Sequence, residues 1–210
     1  MRNAFSGLVA LLLLAGVHAG HAIAQTTGTA IFAGGCFWCV EADFDRVPGV
    51  VGTVSGYTGG TSDNPTYEQV TAGGTGHREA VLVKYDPARV SYEDLLTVFW
   101  HSVDPTDPGG QFCDRGMSYE SAIFVTGNDQ RQYAEPSREA AARTLGEPIA
   151  TKIEDAKTFY PAEDYHQDYY RKNPLRYRLY RWNCGRDARV KEVWGDSAFS
   201  GIPDKPDAKE

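Results

Sequence analysis

Apolar and polar positions along this chain change period several times, and each change marks an element. The unbroken apolar run Ala30-Ile31-Phe32-Ala33 predicts a buried strand, and a helix is expected to open at once over Cys36–Asp45. After the turn Val47-Pro48-Gly49, the positions Val50, Val51, Val54 and Tyr57 predict a strand over Val50–Tyr57. The polar stretch Thr58 to Pro65 reads as a long loop of functional character, followed by a short helical turn over Tyr67–Thr71. Glu79–Tyr85 alternates as a strand, with Ala80 and Leu82 on one face and Val81 and Val83 on the other. Ser91 with Asp94 three residues on is close to a capping box. The helix it opens has Leu95, Leu96, Val98, Phe99 and Trp100 as its core face.

A second long loop, Asp104 to Gly116, leads into a strand over Tyr119–Thr126. Then come a helix over Asn128–Leu145, with Pro136 as a kink, a strand over Ile149–Glu154 and a Tyr-rich helix over Pro161–Lys172. The remainder reads as irregular with short helices. The order β-α-β-β-α-β-α-β is close to a split βαβ unit with an added strand and helix. The expected fold is therefore α/β (α+β), a two-layer sandwich with a mixed sheet on a ferredoxin-like split βαβ core.

Length and charge narrow this picture. Residues 1–24 hold one charge, Arg2, then the apolar run Leu8 to Val17 and a small-x-small site, Ala22-Ile23-Ala24. That is the pattern of a secretory signal peptide, and ten apolar residues are short against the ~20 needed to span a bilayer. No Cys follows the cleavage site, so a lipoprotein is not supported. Residues 25–203 are expected to form one catalytic domain, with a flexible tail over 204–210. The whole chain of 210 residues carries a formal charge of −7, an acidic balance that argues against nucleic acid or an anionic membrane as partner. After removal of the leader, Met117 is the one methionine.

The four cysteines, Cys36, Cys39, Cys113 and Cys184, are separated by 2, 73 and 70 residues. A structural disulfide framework would be denser, and a zinc site would show a second close pair. Only Cys36-x-x-Cys39 looks arranged for redox work. The preceding Gly34-Gly35 turns the chain so that Cys36 meets the positive end of a helix, where its thiol pKa is expected to fall. Cys39 lies one helical turn on, within disulfide reach after a small adjustment. Phe37 and Trp38 between them could form an apolar pocket beside the sulfur.

Gly34-Gly35-Cys36-Phe37-Trp38-Cys39-Val40-Glu41 resembles the signature of the peptide-methionine (S)-S-oxide reductases, the A class of methionine sulfoxide reductases. The resemblance continues through Ser55–Gly60, Asn64–Tyr67, Thr75–Val81, Phe99-Trp100, Asp104–Thr106, Asp114–Tyr119, Phe159–Gln167 and Lys172–Pro174, spanning Thr29 to Trp194. It implies reduction of methionine-S-sulfoxide, free or in proteins, and so repair of oxidised proteins. Cys36 would be the nucleophile and Glu79 the acid that protonates the sulfoxide oxygen, which needs a raised pKa. Tyr67 and Tyr119 would hydrogen-bond that oxygen, Asp114 would help hold substrate, and Phe37 and Trp38 would form the methyl slot. Outside these motifs, Glu79 would read as a surface strand residue and the tyrosines as core. His77 and His166 are expected to make local structural hydrogen bonds, and His101 to pack at a helix end. Glu41 and Asp43 receive no catalytic role.

The chain departs from the commonest pattern of that family. Many members carry Gly where Cys39 stands and place recycling cysteines in a C-terminal tail, yet no Cys follows Trp194 here. Attack by Cys36 leaves a sulfenic acid that a second thiol must resolve. Cys39 is the nearest candidate; Cys184 and Cys113 are the alternatives. A thioredoxin-like reductant would close the cycle, with no cofactor and no metal, in an exported, periplasmic monomer. The rival readings are an exported thiol–disulfide carrier or isomerase using Cys36 and Cys39, and a zinc-stabilised binding module.

Overall fold

The computed structural model describes residues 27–203. The leader and the tail expected from the sequence lie outside the described residues. Strand β1, Gly28–Ala33, runs up the middle of a six-stranded sheet and feeds helix α1, Phe37–Phe44. Strand β2, Val50–Thr58, follows, then helix α2, Tyr67–Ala72, strand β3, Arg78–Tyr85, and helix α3, Tyr92–Trp100. The second loop holds a two-residue hairpin of strands β4, Gly110–Gln111, and β5, Asp114–Arg115, and a 3₁₀ turn over Met117–Tyr119. Strand β6, Ala122–Val125, helix α4, Asn128–Leu145, and strand β7, Lys152–Asp155, complete one edge. Strand β8, Tyr160–Pro161, pairs at the other edge. Helices α5, Tyr169–Lys172, α6, Pro174–Asn183, and α7, Arg186–Trp194, close the chain.

The sheet order is β7-β6-β1-β3-β2-β8. β3 lies antiparallel between β1 and β2, which is the split βαβ arrangement, and β6 flanks β1 antiparallel. β7 pairs parallel to β6 through α4, so the sheet is mixed, as expected. Most of the core lies on the helical face. Phe32 stacks between Phe44 and Phe99 with ring centroids 4.9 and 5.1 Å away. Val81 and Val83 of β3 face that core with Val40, Leu95 and Val190, while Ile31, Ala80 and Phe124 line the opposite face.

Local chemistry explains the element starts. Asp94 N donates to Ser91 Oγ and Ser91 N to Asp94 Oδ2, both at 3.0 Å, so the capping box is complete. Thr66 and Gln69 form a second one at α2. No described helix is long and apolar enough to cross a membrane.

Three expectations are corrected. Residues 161–168 are not helical; helix begins only at Tyr169. Tyr160–Pro161 is captured by β2, and Asp168 sits at φ 53°. Glu163, His166 and Gln167 are turned inward to bond other elements rather than arrayed on a helix face. The C-terminal region is regular: α6 and α7 pack on the face of α1 that carries the cysteines. The strand expected at Tyr119 starts at Ala122, because Met117–Tyr119 closes the 3₁₀ turn.

Candidate active site

The turn between β1 and α1 is built by its glycines. Gly35 has φ +79°, and a Cβ there would lie 2.6 Å from Gln111 Cβ. Cys36 becomes the residue that caps α1, and its carbonyl accepts from Cys39 N at 3.1 Å and Val40 N at 3.3 Å. The next backbone N–H, that of Phe37, has no partner within the helix and donates to Glu79 Oε2 at 2.9 Å. Glu79 lies on β3 directly beneath and is 2 % exposed. Nucleophile candidate and acid candidate are thus joined through one helix end.

Burial pushes the Glu79 carboxyl up to about 8, with nearby Asp114 adding to it, against the opposing pulls of the Phe37 N–H and the Tyr119 hydroxyl. Glu79 is accordingly protonated at neutral pH, as an acid must be. Tyr119 stands beside both Glu79 and Tyr67, and burial with the Glu79 charge raises both phenols. Phe37 packs against Tyr57, Tyr67 and His166 with centroids 5.9, 6.5 and 4.9 Å away. Trp38 stacks on Tyr169 at 3.7 Å and meets Tyr180 edge-on. The Trp38 indole N–H donates to His166 Nδ1 at 3.0 Å. An aromatic wall therefore surrounds the sulfur, with hydroxyls and an acid at its base.

The cysteines differ from expectation. Cys36 is 6 % exposed, and burial raises its thiol well above the usual range, reinforced by Cys39, Glu79 and Asp114. The helix end does not lower it, because its first free N–H is spent on Glu79 and the thiol sits in a closed aromatic pocket. Cys39 moves the other way. Burial opposes ionisation, but the bond from the Cys36 thiol and the cations Arg181 and Arg186 bring it down to about 7. The second correction concerns the remaining pair. Cys113 and Cys184 are joined in a disulfide across a sequence separation of 71, with Cα atoms 4.9 Å apart, so Cys36-x-x-Cys39 is not alone in its capacity for redox work. Cys36 and Cys39 are free.

Asp114, beside that disulfide, is half-buried and accepts from the Tyr180 hydroxyl; burial raises its carboxyl. The sequence reading named Cys184 but missed Tyr177, Tyr180 and Arg181, the α6 residues that close the site. Tyr177, Tyr180, Arg181 and Cys184 recur at helical spacing on one face of α6, a periodic signal available in the sequence. His77 is structural, accepting from Gly60 N at 3.2 Å and donating to the Ser62 carbonyl at 2.8 Å. His101 ends α3 and packs against Trp194.

A buried thiol held over a protonated carboxyl, with a second thiol one turn away, two phenols and an aromatic slot, defines a thiol-dependent oxidoreductase that acts on a small polar group carried on an apolar chain. Residues 28–198 match the family model described as peptide methionine sulfoxide reductase, and the chain belongs to that family. It is 55 % identical over 173 residues to a peptide methionine sulfoxide reductase MsrA 2 of Rhizobium meliloti, covering 82 % of this chain and 86 % of that one. It is 54 % identical over 196 residues to the MsrA 2 of Caulobacter vibrioides, covering 93 % of this chain and all of the relative. Among solved structures, methionine sulfoxide reductase A of Corynebacterium diphtheriae superposes with a TM-score of 0.68 at 38 % identity, covering 71 % of this chain and 76 % of that one. Reduced Mxr1 of Saccharomyces cerevisiae gives 0.66 at 31 %, covering 70 % and 86 %.

Proposed function

We propose that this enzyme reduces the S epimer of methionine sulfoxide with Cys36 as nucleophile, Glu79 as acid and Cys39 as the resolving thiol. The observation that carries the assignment is Glu79: a carboxyl buried under the start of α1, protonated at neutral pH, and tied to the residue next to Cys36. A sulfoxide oxygen leaves poorly unless protonated, and Glu79 is placed to protonate it. Tyr67 and Tyr119 hold the oxygen; Phe37 and Trp38 receive the methyl group. In the first step the Cys36 sulfur attacks the sulfoxide sulfur. The oxygen passes to Cys36 with one proton, methionine leaves, and Glu79 regains its proton from the Cys36 thiol. In the second step Cys39 attacks the sulfenic acid, the Cys36–Cys39 bond forms and water is lost.

The Cys113–Cys184 bridge favours Cys39 over the other candidates, since neither bridged sulfur is a free thiol. A thioredoxin-like dithiol supplies the electrons, as the disulfide product requires. The leader-like residues 1–24 support export to the periplasm, and we take the enzyme to act there as a monomer repairing oxidised proteins.

The test is single-turnover reduction of each methionine sulfoxide epimer with dithiothreitol. Wild type should consume the S epimer alone, and Cys36→Ser should consume neither. Retained single-turnover activity in Cys36→Ser removes Cys36 from the mechanism.

A further inference from the structure

Helix α6 has two faces, and only one of them belongs to the site. The inner face carries Tyr177, packed with Cys36, Cys39 and Ala42, and the buried Arg181. The outer face carries Leu175, Leu179 and Trp182, which are 72, 59 and 78 % exposed. Seven large apolar or aromatic side chains are exposed among the described residues, and three of them stand on this one helix. Single exposed leucines are ordinary on a protein surface, whereas an aligned row is not. At about 100° per residue, the three project within an arc of about 60°, opposite Tyr177 and Arg181.

Charge marks the same face. From Tyr169 to Asn183 the sequence holds five cations, Arg171, Lys172, Arg176, Arg178 and Arg181, and no acid, in a chain whose formal charge is −7. Arg181 is buried on Asp43 and Asp187, and Arg171 is paired with Asp45 and Asp168. Arg176 and Arg178 are exposed and pair with no carboxylate among the described residues. They flank the apolar row, Arg178 about 40° beyond Trp182 and Arg176 about 60° beyond Leu179. A ridge of Leu and Trp between two arginines is the pattern of a helix that lies in a bilayer interface. The apolar side chains enter the acyl boundary, the indole sits at headgroup level, and the guanidinium groups bend out to phosphate.

We propose that α6 docks this enzyme on an anionic phospholipid surface, with Leu175, Leu179 and Trp182 inserted and Arg176 and Arg178 on lipid phosphates. The proposal does not depend on the catalytic roles assigned above. The fold already holds α6 as a helix, so docking needs no ordering of the chain. Three side chains on a convex ridge fall well short of the ~800 Å² per partner that a stable protein interface buries, whereas a bilayer takes a shallow ridge of any shape. The acidity of the whole chain does not forbid the contact. Exposed charges more than about 8 Å apart are largely screened at physiological ionic strength, so the groups on the ridge decide it. The acids of neighbouring α7 are occupied, Asp187 by Arg181 and Glu192 by Arg189. Docked in this way, the helix that covers Cys36 and Cys39 lies at the bilayer and brings the site to methionines oxidised on proteins held there.

The test uses the protein in its exported form, from Gln25 on, which keeps every described element and removes the apolar leader as a source of binding. Sedimentation with vesicles of phosphatidylcholine alone, and of phosphatidylcholine mixed with phosphatidylglycerol, measures partition at low and at physiological salt. Wild type should bind the anionic vesicles, weaken as salt rises, and leave the neutral vesicles largely unbound. Arg176→Gln with Arg178→Gln should weaken anionic binding by roughly fivefold for each cation removed. Leu175→Ser, Leu179→Ser and Trp182→Ser together should weaken it by more than about tenfold. Both variants should reduce free methionine-S-sulfoxide with dithiothreitol at the wild-type rate. The emission of Trp182 should shift to the blue on anionic vesicles, and Trp182→Phe should still bind while losing that shift.

Failure of wild type to bind anionic vesicles at low salt overturns the proposal and points to a protein partner for the ridge. Binding that the triple serine variant keeps in full also overturns it, because charge alone then explains the contact. So does an unshifted wild-type emission, a result that needs no variant to fold. Self-association of wild type that is lost in the serine variant, without vesicle binding, overturns it in favour of a second copy of this chain.

Discussion

Glu79→Gln should make the protein a far poorer catalyst and a more stable fold. The two effects come from the same buried proton. Gln can accept the Phe37 N–H as Glu79 does, but it has no acidic proton to give. The loss of a general acid is expected to slow methionine release by about 10²–10⁴-fold, or roughly 3–5 kcal/mol of barrier. The stability term follows by linkage. The native state raises this carboxyl from 4.5 to about 8, so folding binds the proton more tightly than the unfolded chain does. The favourable contribution is complete below about pH 4.5 and is lost as pH rises towards 8. Over the full interval the loss is about 5 kcal/mol, and about 3 kcal/mol of it has accrued by pH 7. Gln does not titrate and escapes it, less the cost of seating an amide NH₂ near Tyr119, so a gain of about 1–3 kcal/mol at pH 7.5 is expected. Urea unfolding of both proteins at pH 5 and pH 7.5, beside single-turnover rates, measures both effects. If the stability difference between variant and wild type does not grow from pH 5 to pH 7.5, Glu79 does not hold a proton in the native state.

Cys39→Ser should reduce one equivalent of sulfoxide and then stall with a thioredoxin-type donor, yet turn over with small thiols; full donor-driven turnover would give the resolving role to another thiol. Gly35→Ala forces a left-handed φ on a residue with a Cβ pressed against Gln111, and should cost about 1–3 kcal/mol by denaturant titration together with most of the activity. Cys113→Ser with Cys184→Ser opens a 71-residue loop and should lower unfolding free energy by about 2–4 kcal/mol. A methionine release rate within a few-fold of wild type in that double variant would show that the bridge holds the fold and takes no part in the first step.

The sequence made visible whatever is decided locally. Ser91 and Asp94 form their capping box without help from distant residues, and α4 runs over the expected Asn128–Leu145. The alternation of β3 separated Val81 and Val83 from Ala80 and Leu82, and the structure turns the Val81 side, which Glu79 shares by parity, to the helices. What stayed hidden depends on partners far along the chain. The sign of the Cys36 pKa change could not be read from a helix start, because it is set by burial within a site closed by Tyr180 and edged by Asp114. Residues 161–168 were expected to share a helix with Tyr169 and Tyr170, but Glu163 binds Tyr57 and Tyr67, and Gln167 binds Ser55, which outweighs local propensity. The Cys113–Cys184 pairing joins two loops that only the packing of α6 against the β4–β5 hairpin brings together. The inward face of α6 was legible in principle; its Tyr and Arg residues masked it because neither type signals burial.

The helices that cover the two free thiols are made long after the thiols themselves. Arg186 reaches back 152 residues to the Gly34 carbonyl, Arg181 138 residues to Asp43, and His166 128 residues to Trp38. At ~5–20 residues per second of synthesis, Cys36 and Cys39 precede their cover by roughly 10–30 s. During that interval β1, α1, β2 and β3 can already pair, but the thiols face solvent without α6 or α7 above them. Until Arg181 and Arg186 reach Asp43 and the Gly34 carbonyl, both thiols lie open to oxidants, and an early Cys36–Cys39 bond would shield them from over-oxidation.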